Sequence, residues 1–103
     1  MRIEWLPQAL ADFDDAMNWI AERNPQAAKQ SAEMAYRQVT QLIIHPHLGR
    51  VGRVPDTREL VIPHTHFVVP YRVKPEPGII EILAFMHDAR QWPDDFDGPT
   101  THN

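Results

Sequence analysis

The chain has 103 residues, no cysteine and a formal net charge of −4. That suffices for one domain with a modest core but not for two. Without thiols, disulfides, cysteine metal cages and thiol nucleophiles are all excluded. The acidic balance excludes a surface that is wholly an electrostatic glove for nucleic acid. Yet residues 1–47 sum to −2, residues 48–74 to +3 and residues 75–103 to −5, so the middle is locally basic. The start lacks a basic segment followed by an apolar run, and no stretch approaches a membrane span, so the expected location is the cytoplasm.

Arg2 to Leu6 alternates, with Ile3 and Trp5 on one face, and Pro7 follows. This predicts a short strand leading into a helix whose first turn tolerates proline. From Pro7 to Arg23, Leu10, Phe13, Met17 and Ile20 recur at helical spacing as one apolar stripe. Asn24-Pro25 ends that helix and starts another, since asparagine caps well and proline fits the first helical position. The second helix is expected to reach about His45, with Ala28, Ala32, Ala35, Val39 and Leu42 on one face. Its small early residues favour a closely packed antiparallel helical hairpin.

Residues 46–57, PHLGRVGRVPDT, read as a loop longer than a simple connector. Arg58 to Ile62 and Thr65 to Val73 predict a hairpin turning at Pro63-His64. Pro70 lacks a ladder donor and implies a bulge or an unpaired side. A turn at residues 74–78 leads to a strand from Ile79 to Met86, expected to be central in the sheet. Residues 94–103 are acidic and turn-rich and predict a flexible tail after a domain of residues 1–93. The expected architecture is α+β: an N-terminal strand and an antiparallel two-helix hairpin packed on a small antiparallel sheet. Trp5, Phe13, Phe67 and Phe85 fall on predicted buried stripes and are assigned to the core.

Three stretches, IEWLPQALADFDDAMNWIAERNPQAA, HPHLGRVGRVPDTRELVI and IIEILAFMHDARQWP, together resemble the RelE/ParE toxin superfamily over residues 1 to about 93. The resemblance implies a toxin of a type II toxin–antitoxin system, held in a hetero-oligomer by a cognate antitoxin that covers its working surface. It also implies one of two targets: RelE-like members cleave messenger RNA in the ribosome, and ParE-like members poison DNA gyrase. Neither membrane nor cofactor is implied.

RNA cleavage at a 2′-hydroxyl needs a base, an acid and cations for the phosphorane. His87, Arg90 and Arg58 are the candidates for that chemistry. Arg50, Arg53, Arg58, Arg90 and Trp92 are the candidates for partner binding, although arginines in such a loop often serve only to pin it. Val68 stands where RelE-like nucleases often carry a basic residue, and Phe96 falls near the place of a tyrosine those nucleases use. The loop LGRVGRVPDTREL and the ending HDARQW resemble ParE-like members more, and gyrase poisoning needs no acid–base set. A toxin that has lost its toxicity and survives as an antitoxin-binding subunit is the bland alternative. Metal binding by His45, His47, His64, His66, His87 and Asp88 is a weaker one, because no spacing fixes these groups together.

Overall fold

A computed structural model describes residues 1–87, so the expected tail, Arg90 and Trp92 lie outside the described residues. Strand β1 (Arg2–Trp5) enters helix α1 (Pro7–Arg23), with proline in its first turn. Asn24 serves both helices. Its backbone N–H donates to Ile20 O at 2.7 Å, and its side chain accepts from Ala27 N–H at 3.1 Å to open α2 (Pro25–Thr40). α2 ends earlier than the apolar pattern suggests, tightening into a 3-10 turn at Gln41–Ile43. Pro46 has no N–H for a further helical bond and disfavours helix at His45. Leu42 nonetheless stays fully buried.

The remaining strands are β2 (Arg50–Val51), β3 (Arg58–Val61), β4 (Phe67–Lys74), β5 (Ile79–Ile82) and β6 (Met86–His87). The sheet runs β1-β5-β4-β3-β2, with β6 also on β4. β5 is interior as expected, and the long loop contributes β2 as an edge strand, Arg50 opposite Glu59. One pairing corrects the antiparallel expectation, since β1 lies parallel to β5 and the sheet is mixed. The two-helix crossover returns the chain into β2, opposite in direction to β1, and three successive reversals, into β3, β4 and β5, leave β5 running with β1.

Pro70 has the effect its missing N–H requires. β5 pairs with β4 as Tyr71 to Ile82, and β6 as Val68 to Met86, so three residues (83–85) face two on β4. Leu83 N–H donates to Pro70 O at 2.9 Å, which places the absent Pro70 N–H on the bulged side. The bulge splits the expected strand of residues 79–86 in two.

One face of the sheet receives the helices. Ala9, Phe13, Ala35, Val39 and Leu42 pack on Leu60, Ile62, Val69, Tyr71, Ile80, Ile82 and Phe85. Buried Ala28 and Ala35 let the helices approach closely. The α1 stripe rolls toward Ala9, four residues before Phe13, and leaves Leu10 46% exposed. Phe13, Phe67 and Phe85 are buried as assigned, with Phe13 edge-on to Phe85 at 5.1 Å and Phe67 at 4.8 Å from it. Each such buried side chain contributes about 1.5–3 kcal/mol of apolar transfer. The opposite face carries Arg72 and Lys74 on Glu81, Arg50 on Glu59, and the small cluster Val68, Ala84 and Met86.

Candidate functional site

Two features stand out: an arginine-braced loop at the β2–β3 edge, and a groove where α1 and α2 meet the β3–β4 turn and β6.

The loop is organised by Glu59, whose side chain is 3% exposed on β3. Arg50 donates to its Oε1 through Nε at 3.2 Å and Nη2 at 2.9 Å. Arg53 donates to its Oε2 through the backbone N–H at 3.1 Å and Nε at 2.9 Å. Burial by itself would push the Glu59 carboxyl up; the bonds from the Arg53 side chain and backbone and from Arg50 outweigh it, and the group is lowered to about 2. Arg58 donates to Gly49 O at 2.8 Å and His47 O at 3.4 Å. Fully buried Tyr71 donates through its hydroxyl to Pro46 O at 2.7 Å and accepts from Gly49 N–H at 2.9 Å. Burial raises its pKa, against the Gly49 N–H bond and the Arg58 charge. Gly49 is required by this contact, since a Cβ there would lie 2.7 Å from Tyr71 Cε1 and 2.8 Å from Glu59 O.

Arg50 and Arg53 therefore meet on one carboxylate, and Arg58 lies beside them bonded to loop carbonyls. His87 is elsewhere. Arg58 pairs with Tyr71 on one side of β4 and His87 with Phe67 on the other. Four residues along and two strands across place their Cα atoms roughly 16 Å apart, at about 3.3 Å per residue and 4.8 Å per strand.

His87 instead lines the groove, its ring tilted against Phe67 with the centroids 4.9 Å apart. The cavity, about 420 Å³, is bounded by Asp12, Asp15 and Trp19 on α1, His64 and His66 at the turn, and Phe85 and His87 beyond β5. A neighbouring cavity of about 470 Å³ shares Ala27, Ser31, His64 and Thr65 and extends the groove to Glu33 and Arg37 on α2. Thr65 ties the turn down, donating through Oγ1 to Ile62 O at 2.8 Å and accepting from Phe67 N–H at 3.0 Å. His64 holds a φ of 65° at its tip. Asp12 Oδ2 accepts from Phe85 N–H at 3.3 Å and fixes the floor to α1. Trp19 is 58% exposed, with the Arg23 guanidinium 3.8 Å above its ring. Among the described residues no three histidines or carboxylates gather as metal ligands.

Sequence reasoning did not single out Asp12, Asp15 or Trp19 for the groove. Their helical spacing, with Trp19 four residues after Asp15 and seven after Asp12, was available, but nothing along the chain announces the turn that faces them. His87 lies at the end of the last described strand, where the sequence places it.

The helical hairpin on a mixed sheet is shared with solved ParE and RelE toxin structures. The solved structures it resembles include the chromosomal ParDE toxin–antitoxin system of P. aeruginosa, with a TM-score of 0.74 and 28% identity over 84% of this chain and 95% of that one. The intact RelBE toxin–antitoxin complex of E. coli shares the fold alone, with a TM-score of 0.60 and 11% identity over 85% and 96% of the two chains. RelBE2 of Mycobacterium tuberculosis does so with a TM-score of 0.53 and 16% identity over 84% and 95%.

In sequence, residues 3–92 match the model of the ParE toxin of type II toxin–antitoxin systems. Y4kP, a candidate toxin of Sinorhizobium fredii, is 36% identical over 89% of this chain and 93% of its own length. The chain belongs to the ParE toxin family.

Proposed function

We propose that this ParE-family toxin arrests growth in the cytoplasm by poisoning DNA gyrase through protein recognition, and that a cognate antitoxin encoded beside it neutralises it in a hetero-oligomer. The observation that carries this reading over RNA cleavage is, among the described residues, the separation of Arg50, Arg53 and Arg58 from His87. Arg50, Arg53 and Arg58 are bonded within their own loop, and the register sets Arg58 roughly 16 Å from His87. A nuclease needs its base and its phosphate-holding cations within reach of one phosphate. The antitoxin is supported by the similar solved structures, which are toxin–antitoxin systems and complexes.

Induction of the chain without antitoxin, with pulses of labelled thymidine and methionine, tests the reading. The expected result is early loss of thymidine incorporation while methionine incorporation continues, with His87→Ala just as toxic. Early loss of methionine incorporation that His87→Ala abolishes overturns it in favour of ribosome-dependent cleavage. Growth unaffected by induction assigns the chain to the non-toxic, antitoxin-binding alternative.

A further inference from the structure

The sheet face that carries no helix is dry in one place. Val68, Ala84 and Met86 form a cluster separate from the helix-side core, and none is more than 2% exposed. Register fixes their side. Val68 lies opposite Met86, and alternation along β4 groups Val68 with fully buried Pro70 and with Arg72, away from Val69 and Tyr71 in the helix-side core. The described strands form a single sheet, and both helices pack on its other face. Among the described residues no helix or second sheet therefore lies over this cluster, yet water does not reach it.

The chain leaves the sheet at the same place. Met86 belongs to the cluster and His87 follows it on β6, so residue 88 starts at the cluster's edge. Residues 88–97, DARQWPDDFD, hold two large apolar side chains, Trp92 and Phe96, and four aspartates against one arginine. Pro93 disfavours helix at Trp92 and favours extended chain there. The helix-free face is complementary in charge. Register and bonding place Arg2, Arg50, Arg53, Arg72 and Lys74 on it. Glu4, Glu59 and Glu81 share it, leaving a net charge of +2 in a chain of −4.

We infer that residues 88–97 fold back over the helix-free face, with Trp92 seated on Val68, Ala84 and Met86 and with Asp94, Asp95 and Asp97 against the cations beyond Pro70. Reach permits it. Arg72 stands four residues along β4 from Val68, roughly 13 Å at about 3.3 Å per residue, and residues 88–97 span roughly 33 Å when extended. One indole buries roughly 150–250 Å², enough to cover three side chains of this size. Trp92, a candidate partner contact in the sequence, becomes an intramolecular anchor, and an acidic partner reaches Arg50 and Arg53 only by displacing the segment. The inference rests on the fold alone and is independent of the toxin's target.

The test uses the full chain. Because it has no cysteine, Ala84→Cys reports access to the cluster through its rate of reaction with a small maleimide. Ala9→Cys, fully buried on the helix side, reports global opening. Adding Trp92→Ala is expected to speed the reaction at position 84 by at least about tenfold, the scale of uncovering a surface shielded by one indole, and to leave position 9 unchanged. Combined Asp94→Asn, Asp95→Asn and Asp97→Asn substitution is expected to speed it less, and salt at about 0.5 M to do the same in the Ala84→Cys chain with its aspartates intact. In the unaltered chain, nuclear Overhauser effects are expected between the Trp92 indole and the methyls of Val68 and Met86. A labelled peptide of residues 88–97 is expected to bind the Trp92→Ala chain about tenfold more tightly than the unaltered chain, where the tethered segment competes at high effective concentration. Equal rates at position 84 with and without Trp92, or equal peptide binding to both chains, overturn the inference. Faster reaction at position 9 as well as at position 84 also overturns it and assigns Trp92 to general stability. Protection of position 84 that is lost on dilution overturns it in favour of a second copy of the chain as the cover.

Discussion

Glu59→Gln isolates the charge that holds the arginine loop. The substitution keeps the shape and one acceptor oxygen but removes the negative charge that Arg50 and Arg53 share. In the folded chain the carboxyl is lowered from 4.5 to about 2, which at about 1.4 kcal/mol per tenfold corresponds to roughly 3 kcal/mol. The Arg50 and Arg53 side chains are themselves 48% and 39% exposed, and solvent screening reduces the expected loss at pH 7 to ~2 kcal/mol. A carboxyl lowered by folding contributes its full stability above its unfolded value and loses it as pH falls toward the folded value. The wild type is therefore expected to forfeit this contribution between about pH 5 and pH 2, while Glu59→Gln, with nothing to protonate there, does not. Urea unfolding of both proteins at pH 7 and pH 3 reads the difference, with the gap between them narrowing by more than half at the lower pH. The same gap at both pH values would refute the electrostatic reasoning and assign the loss to hydrogen-bond geometry alone.

Tyr71→Phe removes the hydroxyl that joins Pro46 O to Gly49 N–H. It is expected to cost ~2 kcal/mol in urea unfolding and to speed amide exchange at Gly49, because a buried donor loses its partner. Gly49→Ala drives a methyl against Tyr71 and the Glu59 carbonyl and is expected to cost ~1–3 kcal/mol by the same measurement. Phe85→Ala opens the centre of the Phe13–Phe85–Phe67 aromatic cluster, with an expected loss of ~3–5 kcal/mol read from the urea midpoint. Asn24→Ala deletes the cap on Ala27 N–H and is expected to cost ~1 kcal/mol, so an unchanged midpoint would show that packing alone holds the start of α2.

What the chain itself determines is mostly local. Pro7, Asn24 and Pro25 mark the helix starts through the donors they lack or the acceptor they supply, and the α2 stripe from Ala28 to Leu42 marks a buried face. Pro70 announces the bulge because a missing N–H is a property of one residue. The chemical types that populate both features, arginines in residues 48–74 and a histidine ending the last strand, are also legible along the chain. The RelE/ParE resemblance carried the fold class and the family.

Pairing decided the rest. No local signal distinguishes β1 beside β5 in parallel from an antiparallel edge, because that choice depends on how a two-helix crossover returns the chain. Nor does the sequence reveal that Glu59 is the shared partner of Arg50 and Arg53, since the short β2–β3 pairing sets Arg50 opposite it and the loop turns the Arg53 backbone and side chain onto it. The groove is the clearest case. Asp12, Asp15 and Trp19 come from α1, while His64, His66 and His87 come from a turn and a strand end roughly fifty to seventy-five residues later. Only the packing of the helical hairpin on the sheet places carboxylates opposite imidazoles.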